Sequence, residues 1–161
     1  MNTSLIPTHL FAVDGAAPSA NSDDVGLFLG SWKLISYELT LTSGSTLKPF
    51  GDHPVGLILY QNDGHMSAQL MLPAPIPFAS SDSLQATKDE AERAWRNYAG
   101  YWGTFSVDTN NRIITHHVEG GWFPNWIGTN QARSFRFGEG TLILEADYAG
   151  GLAKLVWQKS D

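Results

Sequence analysis

The 161-residue chain contains no cysteine. Disulfides, thiol catalysis and Cys-ligated zinc are thereby excluded, and the redox compartment is left open. Charge is also scarce, at 16% of residues, and its balance is a formal −6. With no long basic run to offset that sign, a nucleic-acid partner is not expected. A polyanionic ligand is disfavoured too, although a pocket can be locally basic. No stretch approaches the ~18 apolar residues of a membrane span. The first residues also lack the basic start and the apolar core of ~7–15 residues that mark a signal peptide. These absences together predict a soluble, cytoplasmic protein with no membrane partner.

Glycine and aromatic residues are plentiful, with 16 Gly and 12% Phe, Trp and Tyr. That composition favours a β-rich globule over a helical bundle. The length suits one domain with a sizeable core. Residues 1–24 read as a flexible arm rich in Ser, Ala, Asn, Pro and Asp, and 25–161 as the folded domain.

The run Leu29-Gly30-Ser31-Trp32-Lys33-Leu34 stands at the head of the folded part, after a predicted helical turn over Val25–Leu29. A Gly can bend the backbone tightly into a strand, and the following Trp can plug a barrel end. Alternation and turn signals then predict strands over 32–42, 55–61, 65–72, 100–107, 112–119, 131–137, 141–148 and 152–159. Asp63-Gly64 is a strong hairpin signal, because it supplies the positive φ angles of a tight turn. Pro73–Phe78, with three prolines, must be a loop. One helix is predicted near 88–98. Thr87 and Glu90 form its capping box, and Ala91, Ala94, Trp95 and Tyr98 form an apolar stripe. Eight antiparallel strands in hairpin succession can close into a barrel that holds one small ligand.

Several runs are specific enough to suggest a family: Gly30–Glu38 (GSWKLISYE), Pro54–Tyr60 (PVGLILY), Asp63–Ala68 (DGHMSA), Tyr98–Phe105 (YAGYWGTF) and His116–Arg133 (HHVEGGWFPNWIGTNQAR). From about residue 26 onward the chain resembles the lipocalin-like domain proteins of bacteria and fungi. These are calycin-type barrels, many encoded near natural-product pathways. The resemblance implies an all-β, eight-stranded antiparallel barrel with a pocket and one inserted helix. It also points to His116 rather than His117 as the family's pocket position. One departure is visible: the family tends to end in Trp-x-Arg, where this chain has Trp157-Gln158-Lys159. A Lys can cap a barrel end as a charge but lacks the planar fork that stacks on Trp.

If Trp32 faces inward, simple alternation sends Leu34, Ser36, Glu38 and Thr40 inward as well. Glu38 is then either a wet rim residue paired with Lys or Arg, or a functional acid or base. Of the adjacent His116 and His117, one faces in. It is either satisfied by a neighbouring hydroxyl or carbonyl, or serves as a general acid or base. The two side chains diverge, so a metal site would need His53 or His65 to converge with one of them, and none is expected. Arg133 shares a face with Phe135 and Phe137. It either pairs with Glu38 or Glu119, or anchors a ligand oxygen. The segment Gly120–Thr129 carries Trp122, Phe123 and Trp126, suited to cap a barrel mouth.

The catalytic candidates are accordingly Glu38, His116, Arg133 and Tyr101. Ser36, Tyr60, Met66, Phe105, His117, Trp122, Trp126 and Phe135 are the expected ligand contacts. No nucleophile elbow, phosphate loop or carboxylate pair at recognisable spacing is present, and no cofactor is expected. Two functions compete. One is a cofactor-free isomerase or cyclase acting on an apolar, oxygenated polyketide- or terpenoid-type intermediate. The other is a carrier or sensor of an apolar small molecule, in either case a monomer or homodimer.

Overall fold

The computed structural model describes residues 22–148 and 150–160. Helix α1 (Ser22–Phe28) leads into strand β1 (Gly30–Leu41), and a two-residue strand β2 (Thr46–Leu47) folds back on the end of β1. Then come β3 (Val55–Tyr60), β4 (His65–Met71), helix α2 (Lys88–Arg96), β5 (Tyr98–Asp108) and β6 (Ile113–Gly121). Strands β7 (Asn130–Gly138), β8 (Thr141–Tyr148) and β9 (Gly151–Lys159) complete the chain. Residues 1–21 of the expected arm lie outside the described residues, and α1 begins at Ser22, three residues earlier than the sequence suggested.

Every neighbouring pair in the order β1-β3-β4-β5-β6-β7-β8-β9 is antiparallel, and β9 pairs back onto β1 from Trp32↔Lys159 to Leu41↔Gly151. The sheet is thus a closed eight-stranded barrel, which leaves no long edge to aggregate. Hairpins set the register. At the β3–β4 turn Gly64 adopts φ +89°, and the Asp63 carboxylate accepts from the His65 amide at 3.0 Å. Asp108 accepts in the same way from the Asn111 amide at 3.1 Å, closing the β5–β6 turn.

Up-and-down connectivity gives the barrel two unlike ends. At one end Gly30 bends the chain (φ +107°) between α1 and β1. Phe28, with no exposed surface, drives into the barrel edge-on to Tyr60, Phe135 and Phe137 at 5.5, 4.9 and 4.8 Å. Trp32 is 3% exposed and donates its indole N–H to the Phe28 carbonyl at 2.7 Å. Lys159 sets its ammonium 4.3 Å from the centroid of the Trp32 ring and hydrogen-bonds the Leu29 carbonyl. A point charge over the indole face, in place of a stacked guanidinium fork, closes this end.

Two β-bulges shift the inside–outside phase. On β1 the pairing with β9 steps from Leu34↔Trp157 to Ser36↔Val156, so Ile35 is an extra residue and turns out to solvent. Beyond it Leu39 is buried and the half-buried Tyr37 lines the barrel's cavity, whereas Ser36 and Glu38 do not. Between β5 and β6 the register slips after Trp102↔Gly120 to Gly103↔Val118, leaving Glu119 over on the outside.

Helix α2 forms as its capping box dictates. The Glu90 amide donates to Thr87 Oγ1 at 3.3 Å, and the Thr87 amide donates to Glu90 Oε2 at 2.8 Å. None of its residues is buried, so its apolar stripe is not a core stripe. The helix lies at the open end, where Trp95 meets Trp122. Among the described residues no helix is long and apolar enough to cross a membrane.

Candidate functional site

A cavity of about 340 Å³ opens at the end away from Trp32. Its size is at the low end of the ~300–1,000 Å³ typical of small-molecule sites. Ile58, Leu144 and Trp157 form its floor, and Phe50, Tyr37 and Leu155 line one wall. At the mouth, Trp122 packs on Trp95 with ring centroids 4.5 Å apart and donates its indole N–H to the Trp95 carbonyl at 3.0 Å. Trp126 stands edge-on to Trp122 at 6.0 Å and to Tyr101 at 5.6 Å. The β6–β7 loop and α2 are therefore joined across the opening by aromatic contact and one hydrogen bond. Phe123 packs on Trp126 at 5.7 Å and completes the cluster.

The polar part of the wall comes from β5 and β7. Tyr101 is 5% exposed, and Arg133 lies with its guanidinium carbon 5.9 Å from the Tyr101 ring centroid. Arg133 donates to the Gln131 carbonyl at 3.2 Å, and among the described residues no carboxylate reaches it as an ion-pair partner. Behind Tyr101, His116 is fully buried and held between two phenols. Its Nδ1 is 2.7 Å from the Tyr101 hydroxyl and its Nε2 is 2.8 Å from the Tyr60 hydroxyl.

Burial pushes the His116 pKa well below the usual imidazole range, with the Arg133 and His117 charges acting in the same direction. Burial raises the Tyr60 phenol far above its usual value. It raises Tyr101 as well, against the pull of nearby Arg133. Tyr37 is pushed up to about 12, chiefly by burial, with Arg133 opposing. The Tyr60–His116–Tyr101 chain is thus neutral at physiological pH, and Arg133 is the charge beside it.

The structure separates the residues singled out from sequence. Tyr101, Arg133, Trp122 and Trp126 line the cavity together. His116 reaches it through Tyr101. Tyr60, Met66, Phe105 and Phe135 face inward but belong to the packed layer below, where Phe105 lies edge-on to Tyr60 at 4.9 Å. Glu38 and Ser36 do not line it, because the Ile35 bulge reverses their face; Glu38 stands opposite Lys154 on the outer surface. Neither Glu38 nor Glu119 pairs with Arg133. His117 also points outward, held by Ser106 Oγ at 2.9 Å and Asn130 Oδ1 at 2.7 Å. Among the described residues no cluster of three or more His, Asp or Glu could hold a metal ion.

The sequence reading missed Tyr37, Phe50, Trp95 and Gln131 as lining residues. For Tyr37 a signal existed: the apolar positions switch parity between Leu34 and Ile35, running on as Ile35, Tyr37, Leu39 and Leu41. For Phe50, in a turn-rich loop, no local signal gives its direction.

The chain has recognisable relatives. A 4'-hydroxy-3'-methoxypropiophenone carrier protein of Aspergillus oryzae is 38% identical over 74 residues, covering 42% of this chain and 67% of that one. Among solved structures, a lipocalin-like protein from Bacteroides uniformis is similar at 16% identity, with a TM-score of 0.44 over 83% of this chain and 98% of that one. A variant of the fluorescent protein UnaG is similar at 10% identity, with a TM-score of 0.40 over 84% and 98% of the two chains. Residues 29–159 match the lipocalin-like domain family along their whole length. With its barrel closed at one end and hollow at the other, the chain belongs to the lipocalin-like domain family.

Proposed function

We propose that the barrel is a carrier for a small oxygenated aromatic molecule of the aryl ketone type. The carrying observation is an aromatic-walled cavity of about 340 Å³ whose polar side presents Arg133 without a carboxylate partner among the described residues. An unpaired guanidinium in a half-enclosed site is costly unless a ligand oxygen meets it. The aromatic walls suit a flat apolar body, and Trp95 and Trp122 close over it. The ligand named for the Aspergillus oryzae relative, a phenolic aryl ketone, has this pattern of a flat ring and acceptor oxygens.

A second reading has its own support. Tyr101 lines the cavity and is backed by a buried imidazole, the arrangement of a phenol able to lend a proton to a carbonyl. In that reading the protein is a cofactor-free isomerase or cyclase. Water in the cavity would take the α-proton, Arg133 would hold the developing enolate oxygen, and Tyr101 would protonate that oxygen to the enol. Glu38, on the outer face, has no part in it.

Titration with propiophenone by calorimetry and tryptophan quenching tests the carrier reading, with proton NMR in deuterated buffer to follow the α-protons. Saturable binding with no α-exchange above buffer supports a carrier. Enzyme-dependent exchange that Tyr101→Phe abolishes would favour the isomerase. No binding would overturn both.

A further inference from the structure

The Tyr60 hydroxyl is fully buried, and among the described residues its one hydrogen-bond partner is His116 Nε2. A phenolic O–H left without an acceptor there is costly, so Tyr60 donates to Nε2. That fixes the neutral imidazole with its proton on Nδ1. Nδ1–H then donates to the Tyr101 oxygen, and the hydrogen of Tyr101 is turned away from His116. The opposite tautomer would orphan the Tyr60 hydrogen. Burial and the neighbouring Arg133 keep His116 from taking a second proton, so the chain has one stable polarity.

On the cavity side this leaves a pair of donors beside the Gln131 amide, which gives its NH2 to Thr129 Oγ1 at 2.9 Å and keeps its oxygen as an acceptor. Tyr101 offers its O–H and Arg133 its guanidinium. The Trp157 indole N–H, in a floor residue 1% exposed, is buried with no partner among the described residues. The other charged lining groups are Arg96, which is paired with Glu92 at 2.9 Å, and Asp147, next to Tyr148 at the rim. The remaining titratable lining groups, Tyr37, Tyr98 and Tyr148, are phenols.

We propose that Tyr60 and His116, without touching the ligand, set Tyr101 and Arg133 as a pair of convergent donors that selects an oxyanion, the phenolate or enolate of an aryl ketone. This rests on the carrier reading and names the form in which the ligand is held. Binding an acidic phenol there releases its proton to solvent, so the ligand's own acidity is raised by the site. Tyr60 and His116 are positioning residues, and their effect travels through the direction of one hydrogen.

The probe is 4-hydroxyacetophenone, whose phenol and phenolate absorb at different wavelengths, with acetophenone as the non-acidic control. At a pH where the free probe is almost wholly phenol, binding is expected to bring up the phenolate band. The ionisation constant of the bound probe should rise about tenfold or more, one pKa unit. Arg133→Met should abolish the band. Tyr60→Phe should shrink it severalfold, although residue 60 makes no ligand contact. Tyr60→Phe should bind acetophenone as the parent does, which shows that its cavity is intact, and Arg133→Met should bind it about tenfold more weakly but saturably. If 4-hydroxyacetophenone binds to the unmodified protein and stays in the phenol form, the oxyanion site is overturned while the carrier reading stands. If Tyr60→Phe leaves the band unchanged, the positioning role is overturned. If neither compound binds, the carrier reading falls and this inference falls with it.

Discussion

Acidification should unfold this barrel through His116 before it does so through carboxylates. The imidazole has no exposed surface, both its nitrogens are engaged by phenols at 2.7 and 2.8 Å, and Arg133 and His117 add positive potential. Its native pKa is therefore well below the ordinary imidazole value of about 6.5, near which it titrates in the unfolded chain. As pH falls through the unfolded value, the unfolded chain binds a proton that the native state refuses. Stability is thus lost on acidification, at up to about 1.4 kcal/mol per pH unit. Between pH 7.5 and 5 the loss should reach up to about 2 kcal/mol, a sizeable share of a domain stability of about 5–15 kcal/mol. The lowered carboxylates Asp52, Asp63, Asp108 and Glu90 act in the same sense, but only as pH falls through ordinary carboxylate values, below this window. Urea unfolding across pH 5–7.5, for the parent and for His116→Gln, reads the effect directly. The parent slope should largely vanish in the variant, even though the variant is less stable at pH 7.5. Equal slopes for the two proteins would refute the buried, neutral imidazole.

Four further outcomes follow from the same geometry. Trp32→Ala should cost about 3–5 kcal/mol in urea unfolding, since it empties the closed end and frees the Phe28 carbonyl; Lys159→Met, which removes the charge over the ring and the hydrogen bond to the Leu29 carbonyl, should cost about 0.5–2 kcal/mol. Trp122→Ala should speed ligand association and dissociation in stopped-flow fluorescence, because it removes the Trp95 stack and the one hydrogen bond joining α2 to the β6–β7 loop at the mouth. Glu38→Gln should leave propiophenone affinity unchanged within about twofold, the effect of a surface substitution; a large loss would put Glu38 back in the cavity.

Much of the barrel was legible because its determinants are local. Asp63-Gly64, Asp108–Asn111 and Gly138–Gly140 mark turns by backbone chemistry, and turns in sequence order give the meander. The capping box foretold α2, and Gly30-x-Trp32 foretold the closed end. The site was less legible, for two physical reasons. Alternation carries a face assignment along a strand only until a bulge, and Ile35 breaks it just before Ser36 and Glu38. Alternation also gives face and not depth. Tyr60 and Phe135 do point inward, yet they lie near the plugged end, below the cavity. Depth depends on which strand ends share an end of the barrel, and that can be read once the hairpin register is known. His116 was decidable in the same terms, since Ile114, His116 and Val118 share one parity and all three are buried. The gathering of Trp95 with Trp122 across the mouth depends on how a surface helix is seated, which no short stretch encodes.

The central claim is that the hollow end of the barrel is a ligand site whose polar anchor is Arg133. Calorimetric titration of the protein and its Arg133→Met variant with propiophenone tests it most directly. The account predicts one saturable site, tryptophan quenching that tracks the heat, and an affinity at least about tenfold weaker in the variant, the worth of a charge-assisted hydrogen bond. A titration with no saturable heat, or equal affinities for the two proteins, would contradict it.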